Sequence, residues 1–169
     1  MIAKIQSSLG LLFIVSIVVS GCGSTQKITL EERNKELVHR MNDEVWNKGN
    51  LEMLDELFSE DFVRHFLPNG SVTRGLDKFR DHVSNHRKAF PNWAEEIKLM
   101  VAEGHLVATQ FTSTGTNDGS FLGNPPTGKQ IHINEMSVYR IVDGKIVEQW
   151  LIPDLLSLNR QLGFIAQSN

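Results

Sequence analysis

Glu135 sits in Ile131-His132-Ile133-Asn134-Glu135-Met136-Ser137-Val138, a run alternating apolar with polar residues. A carboxylate in such company either faces solvent or must be partnered when buried. Burial would raise its pKa and fit it for general acid/base work near neutral pH, whereas outward placement would leave an ordinary solvated charge. Ser137 lies two residues further and so shares its strand face, while His132 points the other way. His65, between Val63 and Phe66, and Asp154, ahead of Leu155-Leu156, complete the candidate catalytic set. Each has a competing structural role, His65 as a packed imidazole and Asp154 as a helix N-cap. Trp93, Phe111, Tyr139 and Trp150 read as core or pocket wall, because no cofactor motif accompanies them. His39, His82, His86 and His105 repeat no metal-ligand spacing, and the chain has no phosphate-binding loop, nucleophile elbow or paired cysteines. Neither metal nor cofactor is expected.

The elements that must position these groups follow from hydrophobic period. Thr29-Leu30-Glu31-Glu32 has capping-box spacing, and Leu30, Leu37, Val38, Met41 and Val45 recur at helical intervals, which predicts a helix over 30–47. Asn50 then caps a short helix carrying Leu51, Leu54, Leu57 and Phe58. An extended piece follows at 62–66, then a Pro68-Asn69-Gly70 turn and a third helix marked by Leu76, Phe79, Val83 and His86. Beyond Pro91 the period changes to two. Segments near 94–103, 105–115, 130–142 and 145–152 read as strands, and Asp154 to about Leu162 as a closing helix ended by Gly163. Helices first and hairpins after give an α+β domain with helices on one side of an antiparallel sheet.

With 169 residues, 40% apolar and a net charge of −3, the chain suits one globular domain. Its basic residues are scattered and form no aromatic-interleaved cluster, which argues against nucleic acid. The first 21 residues differ from the rest: Lys4, then a short apolar run through Leu11-Leu12-Phe13-Ile14-Val15 to Val19, then small residues. That is the outline of a signal peptide, and the run is well short of the ~20 apolar residues of a bilayer span. Val19-Ser20-Gly21-Cys22 resembles the bacterial lipobox, which implies cleavage after residue 21, acylation of Cys22, and a lipidated tether over 22–28 leading to a domain over 29–169. The expected location is the cell envelope, on the outer membrane if the host has two, with the membrane reached through the lipid anchor. Cys22 is the single cysteine, so no disulfide forms within the chain.

Four segments carry a family resemblance. Glu44-Val45-Trp46-Asn47-Lys48-Gly49-Asn50, Asp61-Phe62-Val63-Arg64-His65, Gly119-Ser120-Phe121-Leu122-Gly123-Asn124-Pro125-Pro126-Thr127-Gly128-Lys129 and Tyr139-Arg140-Ile141-Val142-Asp143-Gly144-Lys145-Ile146-Val147-Glu148 resemble the SnoaL-like polyketide cyclases, or ester cyclases, of the nuclear-transport-factor-2-like superfamily. The resemblance implies a curved antiparallel sheet wrapped around a cone-shaped apolar cavity, chemistry without metal or cofactor, and dimers formed through the sheet. It also implies a His at position 65 directed at the cavity. Three family positions depart: the acid/base Asp of the last strand falls on Leu151, a His of the preceding strand on Ser137, and an Asn on Arg64. The founding cyclases' own residue set is therefore missing.

A two-residue Asp143-Gly144 turn pairs Ser137 with Trp150, yet the resemblance makes Ser137 and Leu151 both cavity positions, so a bulge is expected in this hairpin. The expected ligand wall is Trp93, Phe111, Ser137, Trp150 and Leu151. A carboxylate placed at 151 is expected to destabilise, since Ser137 is a weak partner for it. Three functions fit: proton-transfer catalysis on a small hydrophobic ester or ketone, envelope binding of a small apolar molecule, and protein interaction. A sealed polar pocket favours the first, an open apolar pocket the second and an exposed apolar patch the third.

Overall fold

The computed structural model describes residues 28–165. The predicted signal peptide, Cys22 and most of the tether lie outside them. Helix α1 (Leu30–Met41) opens on the expected capping box, in which Thr29 Oγ1 accepts from the Glu32 amide and the Glu32 carboxylate accepts from the Thr29 amide. It widens into a π-helical stretch, Asn42–Asn47, where backbone hydrogen bonds reach back five residues rather than four, as from the Lys48 amide to Asp43 O. That spacing brings Asn42 and Asn47 to the same side, Asn47 Nδ2 lying 3.3 Å from Asn42 Oδ1. Val45 and Trp46 are buried.

Helix α2 (Met53–Leu57) runs directly into β1 (Phe58–Phe66), because Phe58 is already extended and buried with Phe62. The sequence reading placed Phe58 on the helix and missed β2 (Ser71–Arg74), a four-residue edge strand with no buried side chain to mark it. Helix α3 (Leu76–Ala89) crosses the concave face, and Phe58, Phe62 and Phe79 form an aromatic cluster with centroids 4.8–5.2 Å apart. Strands β3 (Ala94–Glu103), β4 (Leu106–Thr116), β5 (Gln130–Val142) and β6 (Lys145–Pro153) follow, then α4 (Leu155–Leu162). The sheet order is β2-β1-β6-β5-β4-β3, antiparallel throughout except for the parallel β1–β6 pair. The α+β class and the helices on one side of a curved sheet are as expected; the sheet is unclosed, and its parallel β1–β6 pair departs from the antiparallel sheet read from the sequence.

The β5–β6 hairpin contains the expected bulge. Asp143 and Gly144 both have positive φ, +49° and +74°, as a two-residue type I′ turn requires. Val142 pairs with Lys145 and Ile141 with Ile146, but Arg140 pairs with Glu148, so Val147 is the extra residue. Beyond it Ser137 pairs with Leu151 and Tyr139 with Gln149. The bulge therefore turns Gln149, Leu151 and Pro153 inward and Trp150 outward.

The loop between β4 and β5 is held by Asn117, whose side chain accepts from the Thr127 amide at 3.0 Å and donates to Gly119 O at 2.8 Å. Gly119 permits close passage over α3, since a Cβ there would lie 2.2 Å from Lys88 O.

Candidate functional site

Alternation along β5 turns Ile131, Ile133, Glu135, Ser137 and Tyr139 into the concave side. Glu135, only 7% exposed, lines a cavity of about 320 Å³ whose apolar wall includes Trp46, Phe111, Phe121, Leu151 and Leu158. This volume lies at the small end of ligand-sized pockets. Ser113, on the neighbouring strand β4, donates its hydroxyl to Glu135 Oε1 at 2.5 Å.

Further ionisable groups share the cavity. Alternation along β1 buries Phe62 and, two residues on, Arg64. On β3, Glu95 accepts from Asn42 Nδ2 at 2.7 Å and from Trp93 Nε1 at 3.0 Å, while Asn47 bonds both its amide and its carbonyl. The π-helical stretch is thus what seats this carboxyl. From α3, His82 and His86 reach the wall one turn apart.

Burial dominates the titration of all of these. It pushes Glu135 up to about 7 against the opposing Ser113 hydrogen bond and the Arg64 charge. It pushes Glu95 up to about 8, assisted by the Glu135 charge and opposed by the bonds from Trp93 and Asn42. Burial and the Arg64 charge lower His82 to about 4; burial, with His82, Arg64 and Arg87, lowers His86 to about 3, so both imidazoles are neutral at pH 7. Tyr139 is held above its usual range by burial and stays a phenol. Burial lowers the Arg64 pKa, but a guanidinium starts so high that it remains a cation. Three buried polar atoms of cavity residues have no partner among the described residues: Arg64 Nε, His86 Nε2 and Gln149 Oε1.

Of the residues singled out from sequence, Glu135, Trp93, Phe111 and Leu151 come together on this cavity. Ser137 is on the inward face but covered, with its Oγ accepting from Gln149 Nε2 at 3.0 Å and donating to Trp150 O at 3.1 Å. His65 and Trp150, expected at the cavity, do not line it. Burying Phe62 and Arg64 forces His65 outward, where it stacks on Trp150 (5.3 Å, 5°) and meets Glu148 at 2.7 Å, and Glu148 also pairs with Arg140. Asp154 is likewise placed away from the cavity, exposed at the start of α4 and accepting the Ser157 amide at 2.9 Å as an N-cap. Sequence reasoning passed over Arg64, Glu95, His82 and Gln149 as site residues, while Tyr139, read as core or pocket wall, does line the cavity. The signal for His86 was its place on the apolar stripe of Phe79 and Val83, and for Glu95 its two-residue spacing from Trp93. No group of three potential metal ligands occurs among the described residues.

A curved sheet closed by helices over a small cavity with buried acids at its wall defines a pocket protein of the nuclear-transport-factor-2-like fold. The chain belongs to the SnoaL-like polyketide cyclase family, whose model matches residues 36–162. It is 30% identical over 130 residues to the aklanonic acid methyl ester cyclase DauD of Streptomyces sp. (strain C5), covering 76% of this chain and 80% of that one. Against the nogalonic acid methyl ester cyclase of Streptomyces nogalater it is 28% identical, covering 70% and 89%. Its structure is similar to that of a SnoaL-like protein from Jannaschia sp. CCS1, with TM-score 0.76, 25% identity and coverage of 83% and 98%. TsrD from Streptomyces laurentii matches with TM-score 0.70, 25% identity and coverage of 79% and 96%.

Proposed function

We propose that this chain is an exported, lipid-anchored member of its family that binds a small hydrophobic carbonyl compound and transfers a proton on it, with Glu135 as the acid/base. The observation that carries this reading is a carboxyl on the wall of a ligand-sized cavity with its pKa near 7, where it can both accept and return a proton at neutral pH. In the step envisaged, ionised Glu135 removes a proton from the carbon next to the carbonyl. The C–H electron pair moves into the new carbon–carbon double bond, and the carbonyl π pair onto oxygen. The enolate so formed lies in the field of the Arg64 cation, and the protonated Glu135 returns its proton either to the same carbon, restoring the ketone, or, once that carbon has attacked a second carbonyl, to the alkoxide oxygen formed there. The names of the relatives, methyl ester cyclases, support a carbonyl substrate. Leu151 at the position of the family acid is the reason for assigning the proton to Glu135 instead.

The test is deuterium exchange next to the carbonyl of 2-acetylnaphthalene, followed by NMR. Glu135→Gln should slow exchange by ~10²–10⁴, the usual effect of losing a general acid/base, with the fold intact. Equal exchange by variant and native protein would remove Glu135 from the chemistry. Binding alone is the second reading, favoured by that same Leu151, and it stands if the native protein binds the ketone but exchanges no faster than buffer.

A further inference from the structure

Arg64 presents an energetic problem that its protein surroundings leave unsolved. It is 7% exposed, its Nε has no partner, and none of the hydrogen bonds or ion pairs among the described residues involves its guanidinium. Its one defined contact is with the ring of Phe66, 5.5 Å from the guanidinium carbon to the centroid. A guanidinium has five N–H donors, and burying the one on Nε unused is costly. The two carboxyls whose charge reaches it are engaged elsewhere, Glu135 with Ser113 and Glu95 with Trp93 and Asn42. The other titratable groups facing the cavity, His82, His86 and Tyr139, are neutral near pH 6.

We infer that the ligand of this cavity carries a carboxylate, received by Arg64, on a compact apolar body. The inference rests on the reading of the cavity as a ligand site and names the class of molecule that enters it. A planar guanidinium fork matches a carboxylate in bidentate fashion, and the pairing leaves donors for a neighbouring carbonyl oxygen. The remaining wall, with Trp46, Phe111, Ile133, Leu151 and Leu158, fits an apolar body and offers no second cation for a multiply charged head. A keto acid therefore satisfies both the buried cation and the apolar wall.

The strand register supplies an independent lever. In the parallel β1–β6 pair Arg64 lies opposite Gln149 and Phe66 opposite Leu151, all four facing inward. Leu151→Asp thus delivers a carboxylate beside Arg64 and should compete internally with a ligand's own.

Calorimetric titration at about pH 6 with 2-naphthoate and methyl 2-naphthoate tests this. The native protein should bind the acid about tenfold or more tightly than the ester, the scale of a charge-assisted pair. Arg64→Met and Leu151→Asp should each bring the affinity for the acid down to that for the ester, and Asp154→Ala, away from the cavity, should preserve the preference. The preference should also shrink as pH rises through 7 to 8, where Glu135 and Glu95 ionise and offset the cation. That pH series in the native protein decides the matter should Arg64→Met fail to fold. Equal affinity for acid and ester, no binding of the acid, or a preference surviving Leu151→Asp overturns the assignment. Displacement of 2-naphthoate by inorganic phosphate overturns it too, in favour of a phosphate site. Acid preference without deuterium exchange removes only the proton-transfer reading, and exchange without acid preference removes only the carboxylate.

Discussion

Four buried titratable side chains set how stability depends on pH. Glu135 and Glu95 have pKa values raised to about 7 and about 8, so between their unfolded value near 4.5 and those values the folded state holds more protons than the unfolded. Their contribution is full below about 4.5 and is lost as pH rises to about 8. His82 and His86 act in the opposite sense, because the unfolded chain takes up protons below about 6.5 that the folded one refuses until about 4 and about 3. The two pairs oppose each other between about 4.5 and 6.5, and the glutamates act alone above that. Urea unfolding should therefore show a shallow optimum near pH 5 to 6.5 and a decline from pH 6.5 to 8. Glu95→Gln keeps a carbonyl acceptor for only one of the two donors, Asn42 or Trp93, and cannot ionise, so it should lower stability at every pH and flatten that decline. An undiminished decline in the variant would mean that Glu95 is charged in the native protein.

Helix α4 tests the two roles that sequence left open for Asp154. Its carboxylate accepts the Ser157 amide, and Gly163 ends the helix in the left-handed conformation with φ +81°. Asp154→Ala should lower stability by ~1 kcal/mol, the ordinary worth of an N-cap, without changing deuterium exchange or ligand binding. A large loss of exchange at unchanged stability would restore Asp154 as a catalytic group. At the same scale, the Val147 bulge decides which polar groups meet. Without it Trp150 rather than Leu151 would oppose Ser137, and Gln149 and Leu151 would face outward.

The whole molecule presents its convex face as a candidate surface for a second copy. Paired across β3, β4, β5 and β6, Leu99, Gln110, Met136 and Ile152 form a row, and Leu99, Met136 and Ile152 are 53–59% exposed. A second row, Val101-Ala108-Val138-Trp150-His65-Val72, crosses all six strands. These rows are the surface through which the homodimer expected from the family resemblance would form. Sedimentation should find a dimer in the native protein and a monomer in Met136→Glu, and a native monomer at micromolar concentration would exclude that surface. Among the described residues no helix is long and apolar enough to cross a membrane. Attachment by Cys22 predicts that Cys22→Ser abolishes fatty-acid labelling and leaves an uncleaved precursor, and normal labelling of that variant would defeat the anchor.

Most of the helices and strands were legible in the chain, because each is dictated by local period: Leu30 to Val45 at helical spacing, Ile131 to Tyr139 in alternation, Thr29 and Asp154 at caps. The bulge was legible only as a conflict between turn geometry and family position. The site was legible where a residue's own strand decided its face, as for Glu135, and illegible where neighbours decided it. His65 and Arg64 are adjacent, and only the packing of Phe62 against Phe58 and Phe79 determined that Arg64 faces the cavity and His65 the outside. The same distinction revises the expectation for residue 151. Ser137 is its antiparallel neighbour, but the parallel β1 strand, distant in sequence, brings Arg64 close to that position as well. Period and capping act over a few residues and can be read along the chain, whereas the meeting of Arg64, Glu95, Glu135 and the two histidines depends on strand order and a π-helical turn, which only the tertiary structure decides.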